Sequence, residues 1–438
     1  MAIIADQPKL ALLMGVERYL MRFALIALFG GLSPPALAVA NYTMGSSIGL
    51  PGADFSEGLG VNASGQVTGY SSIAQVKHAF LYANGVISDL GTLGGTTGTG
   101  YAINATGQVV GSSSIANGSA VHAFLYANGR MTDLGTLGGT NSEALAINDS
   151  GQIVGDADTG AADSNGNPVH HAFLYTAGKM TDLGTLGGPT SVATGINANN
   201  QIIGYSDTAA GPLGSSRDPF LYADGKMTDW VGALPPSPIP PAPTPLAINI
   251  NAAATGSAFE LAVVHGFLYT NGNVMAIPAF PGGRTSVGRA INSHGDVVGA
   301  AEVGPEVPHA FIFTNGTIYD LNTLFDASAT VTLFNAEGIN DSGDILVQGS
   351  LGSGRYFAAV LTPDTNSQPT GGGCASVANL PSGSIDPMFP TLLLLATLGL
   401  LANKRSGNQH EPRKTGPTRT RTVKSKAAVQ KVAHDGTD

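Results

Sequence analysis

Five histidines recur at one place in a repeated phrase of the form "HAFLY": His78, His122, His171, His265 and His309. Several imidazoles in one chain raise the possibility of a metal centre, and a zinc site needs three or four ligands about 2 Å from one ion. The rest of the phrase points elsewhere. In "HAFLYANGRMTDL" the pair Asn128-Gly129 joins two short runs of alternating apolar and polar residues, the signature of a two-residue type I′ hairpin. Such a turn sets Phe124 opposite Asp133 and leaves His122 diagonal to Asp133 on the same face, within reach for long side chains. Four of the five histidines then have an aspartate inside their own copy: His78 with Asp89, His122 with Asp133, His171 with Asp182, His309 with Asp320. The chemistry predicted is a hydrogen-bonded pair satisfying two buried polar groups, with no metal and no cofactor. Equivalent residues of a repeat array point in separate directions and do not converge on one ion. Copy four has Asp218 where the histidine belongs, copy five has Ala276 where the aspartate belongs, and copy seven has Arg355 for histidine. A scaffold pair can be lost copy by copy, whereas a catalytic set cannot.

Other candidates receive the same treatment. Seven asparagines of a second phrase, "AINDSGQIVG", stand at Asn62, Asn104, Asn148, Asn197, Asn249, Asn292 and Asn340. Beside turns, asparagine is a local backbone cap before it is a ligand. The stretch "NDSGD" (340–344) has a faint look of a calcium loop, but it lacks the Asp/Asn spacing and terminal Glu of an EF-hand and coincides with the turn phrase. There is no G-x-S-x-G, H-E-x-x-H or P-loop. Sialidase-type Asp boxes and quinone-binding propeller phrases are missing too. No catalytic residue is assigned.

The elements that position these residues follow from the repeat. Its phenylalanine falls at Phe80, Phe124, Phe173, Phe220, Phe267, Phe311 and Phe357, at intervals of 44, 49, 47, 47, 44 and 46 residues. The asparagine marker independently gives seven copies, and a period between about 20 and 50 residues signals a solenoid, propeller or array. "ALAIN" and "QIVG" flank another tight turn at Asp149-Ser150-Gly151. Each copy therefore holds about four short antiparallel strands. Gly makes up 60 of 438 residues, and no helical 3.6-residue stripe survives between the turns. Seven such units predict an all-β, seven-bladed β-propeller over 41–363, with a superhelical β-solenoid as the alternative. Closure into a ring also removes the two apolar end faces that an open stack would expose. Copy seven stops after its third strand, "YFAAVLTP". The segment "YTMGSSIGLPG" (42–52) lies upstream of Asn62 as "MTDLGTLGG" lies upstream of Asn148. The N-terminal segment is thus predicted to supply the last blade's fourth strand and shut the ring.

The termini differ from the repeat. Arg18 and Arg22 precede "FALIALFGGL", and "ALAVA" (36–40) supplies an A-x-A cleavage site, so residues 1–40 read as a signal peptide, with Met14 or Met21 as the expected start. Residues 364–385 form a Gly/Pro/Ser-type linker containing Gly373 and Cys374. An apolar run of about 16 residues, marginal for crossing a bilayer, leads to the basic stop Lys404-Arg405 within 386–405. Residues 406–438 are a basic tail, read as disordered and inert. One cysteine excludes an internal disulfide, and a closed core of this size is large enough to do without one. Gly373 and Cys374 are therefore assigned to processing or lipidation. Between residues 39 and 402 only eight Lys/Arg stand against about 25 Asp/Glu, which argues against nucleic acid as a partner.

The phrases "HAFLYANG", "MTDLGTLGG" and "AINDSGQIVG" resemble the HAF repeat of bacterial extracellular proteins, over residues 42–362. The "GGGC … DPMFP" tail is similar to C-terminal sorting signals of Gram-negative bacteria, most closely the JDVT-CTERM class, although residues 406–438 extend beyond the usual end. The resemblance implies export and a cell-surface or extracellular location, with transient inner-membrane anchoring through the C-terminal segment. It implies an envelope protease and its sorting machinery as partner. It supplies no catalytic or ligand-binding residue.

Function is expected on loops. The second-to-third-strand connections vary in length, and "ALPPSPIPPAPTP" (233–245) is inserted between two blades; in a propeller these two connection types share one face. The expected role is a surface-anchored, non-catalytic binding or adhesion module for an unknown surface glycan or protein. The alternative is a secreted propeller enzyme, a polysaccharide lyase or hydrolase. Unpaired carboxylates and arginine at the channel mouth would favour the enzyme, and a smooth Gly/Thr/Ser/Asn mouth would favour binding.

Overall fold

In a computed structural model, residues 40–364 are described, except 117, 119, 164, 210–216, 231–243, 261–262 and 326–330. The predicted signal peptide, the linker with Gly373 and Cys374, the sorting segment and most of the proline-rich insertion lie outside the described residues. What is described forms seven antiparallel sheets of four strands each. Their first strands are Phe55–Val61, Gly94–Ile103, Ser142–Ile147, Gly187–Ile196, Thr244–Ile248, Ser286–Ile291 and Val331–Ile339. These strands touch one another in order, and the last touches the first, so they line a central axis. The protein is a seven-bladed β-propeller.

Local chemistry builds each blade. At the outer hairpins Asn84, Asn128, Asn271 and Asn315 take φ of 50–52° and the following glycines 77–78°, as a type I′ turn requires. The resulting register sets Phe80, Phe124, Phe173, Phe220 and Phe311 opposite Asp89, Asp133, Asp182, Asp229 and Asp320. The glycine of "IVG" is needed for another reason. A Cβ on Gly69, Gly111 or Gly155 would sit 1.9 Å from a carbonyl oxygen of the blade's own first strand. The first strand bulges there, so its backbone closes on the second.

Packing between blades supplies the core. Phe80, Phe124, Phe173, Phe220, Phe267 and Phe311 are fully buried. Phe173, for example, joins Ile153 and Ala144 of its own blade and Val110 and Ala123 of the preceding one in a single apolar cluster. Both blade faces are therefore apolar, which accounts for the low charge of the repeat.

The ring closes on the N-terminal segment. Strand Tyr42–Met44 pairs with Tyr356–Pro363, Tyr42 opposite Pro363 and Met44 opposite Leu361, and Ile48 bridges to Ala358. Tyr42 is 5% exposed, inside the last blade's apolar cluster; burial, then the Asp296 and Asp344 carboxylates, push its hydroxyl up to about 12.

The asparagine marker has two jobs. In all seven copies Oδ1 accepts N–H bonds from residues two and four positions on, as Asn148 does from Ser150 and Gln152. In six copies Nδ2 also reaches the backbone oxygen of the next blade's asparagine: Asn62 to Asn104, Asn104 to Asn148, Asn148 to Asn197, Asn197 to Asn249, Asn249 to Asn292, and Asn340 round to Asn62, at 2.8–3.2 Å. At the remaining seam Ser293 N–H donates to Asp341 Oδ1 at 2.8 Å. A girdle of buried amides thus ties the blades together at one end of the channel.

Candidate functional site

The histidines and aspartates meet as pairs on the outer part of each blade. Nδ1 of His78, His122, His171 and His309 lies 2.7–2.9 Å from an oxygen of Asp89, Asp133, Asp182 and Asp320. The second-nearest role of each aspartate is to cap the following loop, at Gly91, Gly135, Gly184 and Asn322 N–H. The pairs are less buried than the sequence suggests: Asp89, Asp133 and Asp182 side chains are 43–44% exposed. The outermost strand of a blade has no neighbour on its far side, which leaves that edge wet. His265, whose copy has Ala276 instead of aspartate, keeps a buried Nδ1 with no partner. Among the described residues no group of three or more His, Cys, Asp or Glu is placed to hold a metal.

A different set of residues converges on the channel. One first-strand position and its partner on the second strand vary from blade to blade: Glu57/Tyr70, Thr99/Ser112, Glu143/Asp156, Val192/Tyr205, Thr244/Ser257, Val287/Ala300 and Asn335/Gln348. On one side of the channel these groups satisfy each other. Glu57 accepts from the Tyr70 hydroxyl and from Gln348 Nε2 (3.0 Å). Glu337 accepts from Asn335 Nδ2 (2.5 Å) and lies 3.5 Å from Arg289 Nη1. Burial first, then Glu57, pushes the Glu337 carboxyl up, opposed by Arg289. The buried Asn335 Oδ1 is left without a donor.

The third blade lacks such partners. Glu143 and Asp156 face each other across adjacent strands, and among the described residues neither carboxylate has a hydrogen-bond donor. Burial, then the charges of Glu143 and Asp158, push Asp156 up to about 7. Burial also raises Glu143, with Lys77 working against it. Lys77 belongs to the first blade and Glu143 to the third, so a blade is skipped, which is feasible only where blades converge. Tyr101 and Tyr205 flank the pair and are themselves raised by burial and by these carboxylates. Lys77 Nζ lies 4.1 Å from the centre of the Tyr70 ring, and the Arg217 guanidinium 5.0 Å from that of Tyr205 while its Nε pairs with Asp207 at 3.2 Å. The mouth is therefore acidic and aromatic with cations at its rim. It meets neither expected pattern in full: Glu143 and Asp156 are unpaired, as the enzyme alternative would have them, but Arg289 is engaged by Glu337 and, among the described residues, no free arginine joins them.

These channel residues were not singled out from the sequence. A signal exists there. The residue after the glycine of "IVG" is Tyr70, Ser112, Asp156, Tyr205, Ser257 and Ala300, and in the last copy, where Val347 replaces the glycine, it is Gln348, a variable position inside a repeated phrase and on a buried strand.

The sequence matches no protein-family model and no curated protein. Among solved structures, the chain is similar to the β-propeller domain of the Trilobed protease from Pyrococcus furiosus, of open velcro topology (9% identity, 74% of this chain and 94% of that one, TM-score 0.48). It is also similar to a gluconolactonase from Xanthomonas campestris (11%, 76% and 99%, TM-score 0.35) and to the Aleuria aurantia lectin (13%, 73% and 98%, TM-score 0.30).

Proposed function

We propose that this chain is an exported, surface-held binding module of the HAF-repeat type. Its ligand, a hydroxyl-rich surface glycan, seats at the channel mouth over Glu143, Asp156, Tyr101 and Tyr205. One observation carries the reading. Within a phrase otherwise held fixed by packing, this pair on the two innermost strands takes six forms in seven blades, and in the third it sets two carboxylates side by side without a donor. Unpaired carboxylates accept hydroxyl hydrogens well, and tyrosine rings suit the apolar face of a sugar. The test is a glycan and surface-protein array probed with the purified protein. Binding that falls at least tenfold in Glu143→Gln and Asp156→Asn is expected. An empty array, or binding indifferent to both changes, overturns the assignment.

Asp156 also favours a second reading. A carboxyl protonated near neutral pH beside a carboxylate is the acid–base arrangement of glycoside hydrolases. The same variants separate the two: loss of product with affinity retained marks a hydrolase, and loss of affinity with no product in the wild type marks a binding module.

Export and surface retention rest on the sequence: the Arg-led apolar run with "ALAVA", and the Gly373-Cys374 linker before a short apolar span and a basic stop. In this proposal the tail holds the protein in the inner membrane until an envelope protease cuts near Gly373-Cys374. Surface protein should then lack residues from about 390 onward by mass spectrometry, in keeping with a span too short for a permanent anchor. Recovery of "AAVQKVAHDGTD" from the surface form refutes it.

A further inference from the structure

The ring-closing segment does more than pair. After its three ladder residues the chain curls over the last blade as far as Phe55 and encloses a cleft of about 530 Å³, a volume typical of small-ligand sites. Ile48, Leu50, Phe55, Leu351, Arg355 and Tyr356 line it, with small residues between them. Only seven large apolar side chains are exposed among the described residues, and three of them, Phe55 (38%), Leu351 (38%) and Tyr356 (57%), open on this cleft.

The repeat shows what is unusual here. In the last blade Val347 faces Ala359 as Gly111 faces Phe124, and Ile48 N–H donates to Ala358 O as Leu134 N–H donates to Ala123 O, so Phe357 stands at the histidine position and Ala359 at that of the buried phenylalanine, with Arg355-Tyr356 just ahead of them, two residues out from where spacing alone puts them. The aspartate that would answer a histidine is absent as well, because the fourth strand comes from the N-terminal segment, which brings Ile48 to Ala358. The His–Asp pair is lost in this blade, and just ahead of its place stand an exposed guanidinium and an exposed phenol. Among the described residues the Arg355 guanidinium has no ion pair and no hydrogen-bonded partner, and it is the one charged side chain lining the cleft. Phe334 is edge-on to Tyr356 at 5.7 Å and Tyr70 edge-on to Phe55 at 5.9 Å, so both exposed rings are braced from behind.

We infer that this cleft is a second binding site, for an acidic sugar unit whose carboxylate pairs with Arg355 while its ring lies against Tyr356 and Phe55. A guanidinium binds a carboxylate through two parallel N–H bonds, and the aromatic rings supply a flat apolar wall. A peptide strand is the less suitable occupant. Strand addition needs a straight free edge, and the segment that borders the cleft leaves its ladder after Met44. The site is independent of the channel mouth, because none of Glu143, Asp156, Tyr101 and Tyr205 lines it.

The probe is tri-galacturonate, titrated calorimetrically into the purified full chain, with the neutral maltotriose and a tri-glutamate peptide as comparators. Saturable, salt-weakened binding of tri-galacturonate is expected, at least tenfold tighter than either comparator. Arg355→Ala and Tyr356→Ala should each weaken it at least tenfold, Arg355→Lys should weaken it less, and Asp156→Asn should leave it unchanged. Circular dichroism confirms that the variants are folded; both residues are exposed, so the fold should persist. No binding, equal binding of maltotriose or of the peptide, or affinity untouched in Arg355→Ala overturns the proposal. Loss in Asp156→Asn with Arg355→Ala unaffected assigns the sugar to the channel mouth instead and overturns it as well.

Discussion

Replacing Asp156 by asparagine should make this protein more stable, by an amount that grows from about pH 4 to about pH 7. The folded-state carboxyl titrates near 7 against an ordinary value of 3.8, because burial comes first and Glu143 and Asp158 add their charge. Between these two values the folded chain keeps a proton that the unfolded chain has released. Stability therefore falls as pH rises from about 4 to about 7, the sign expected when a carboxyl's folded pKa is raised. A displacement of that size corresponds to roughly 4 kcal/mol above pH 7, and solvent entry at a half-open wall will lower it. Asparagine keeps the shape and removes the charge. Near pH 4 the variant and wild type should be about equally stable; at pH 8 the variant should be ahead by roughly 2–4 kcal/mol. Urea unfolding at pH 4, 6 and 8 measures the difference, provided the m-value is unchanged. A difference that does not vary with pH, or that grows toward acid, refutes the reasoning. A residue that lowers stability where it stands is retained for another reason, so the same variant should lose ligand.

The remaining predictions concern the scaffold. Ala276→Asp should give the orphaned His265 Nδ1 its missing partner and add about 1 kcal/mol, or roughly 2 °C in Tm; no gain, or a gain that survives His265→Ala, counts against it. The gain is modest because Pro278 offers no N–H to cap, unlike Gly135 in the loop after the fourth strand of the second blade. His122→Ala should cost less than about 1 kcal/mol, since its partner Asp133 is 43% exposed and exposed pairs are weak. Asn148→Asp keeps the Oδ1 cap but can no longer donate to Asn197 O and Gln152 Oε1, a loss of about 1–3 kcal/mol by chemical denaturation. Tyr42→Ala, which empties the buried seat of the ring-closing strand, should cost about 3 kcal/mol or more; an unchanged Tm would show that closure contributes little.

The amino-acid sequence on its own determines the blade count, the hairpin register and the ring closure. These rest on short-range rules. Asn128-Gly129 must adopt positive φ, alternation of period two must put Phe124 on one face with Asp133 opposite, and a seventh copy without its fourth strand must borrow one. The turn and alternation rules act within a few residues and recur from copy to copy, so single departures do not hide them. The tertiary structure alone decides what happens between copies. The Nδ2 of Asn340 meets the backbone oxygen of Asn62, 278 residues away, and nothing local distinguishes that bond from an ordinary asparagine cap. Glu143 becomes a channel residue with Lys77 as a distant counter-charge only because first strands from different blades converge on one axis. The His–Asp pairs were legible, but their wetness was not, since exposure depends on the outer strand having no neighbour. By spacing Arg355 reads as a degenerate copy of a histidine, but the strand pairing puts Phe357 at that position and leaves the Arg355 guanidinium, two residues earlier, without a partner among the described residues. Contacts of this kind are fixed by ring geometry, which residue spacing along the chain does not encode.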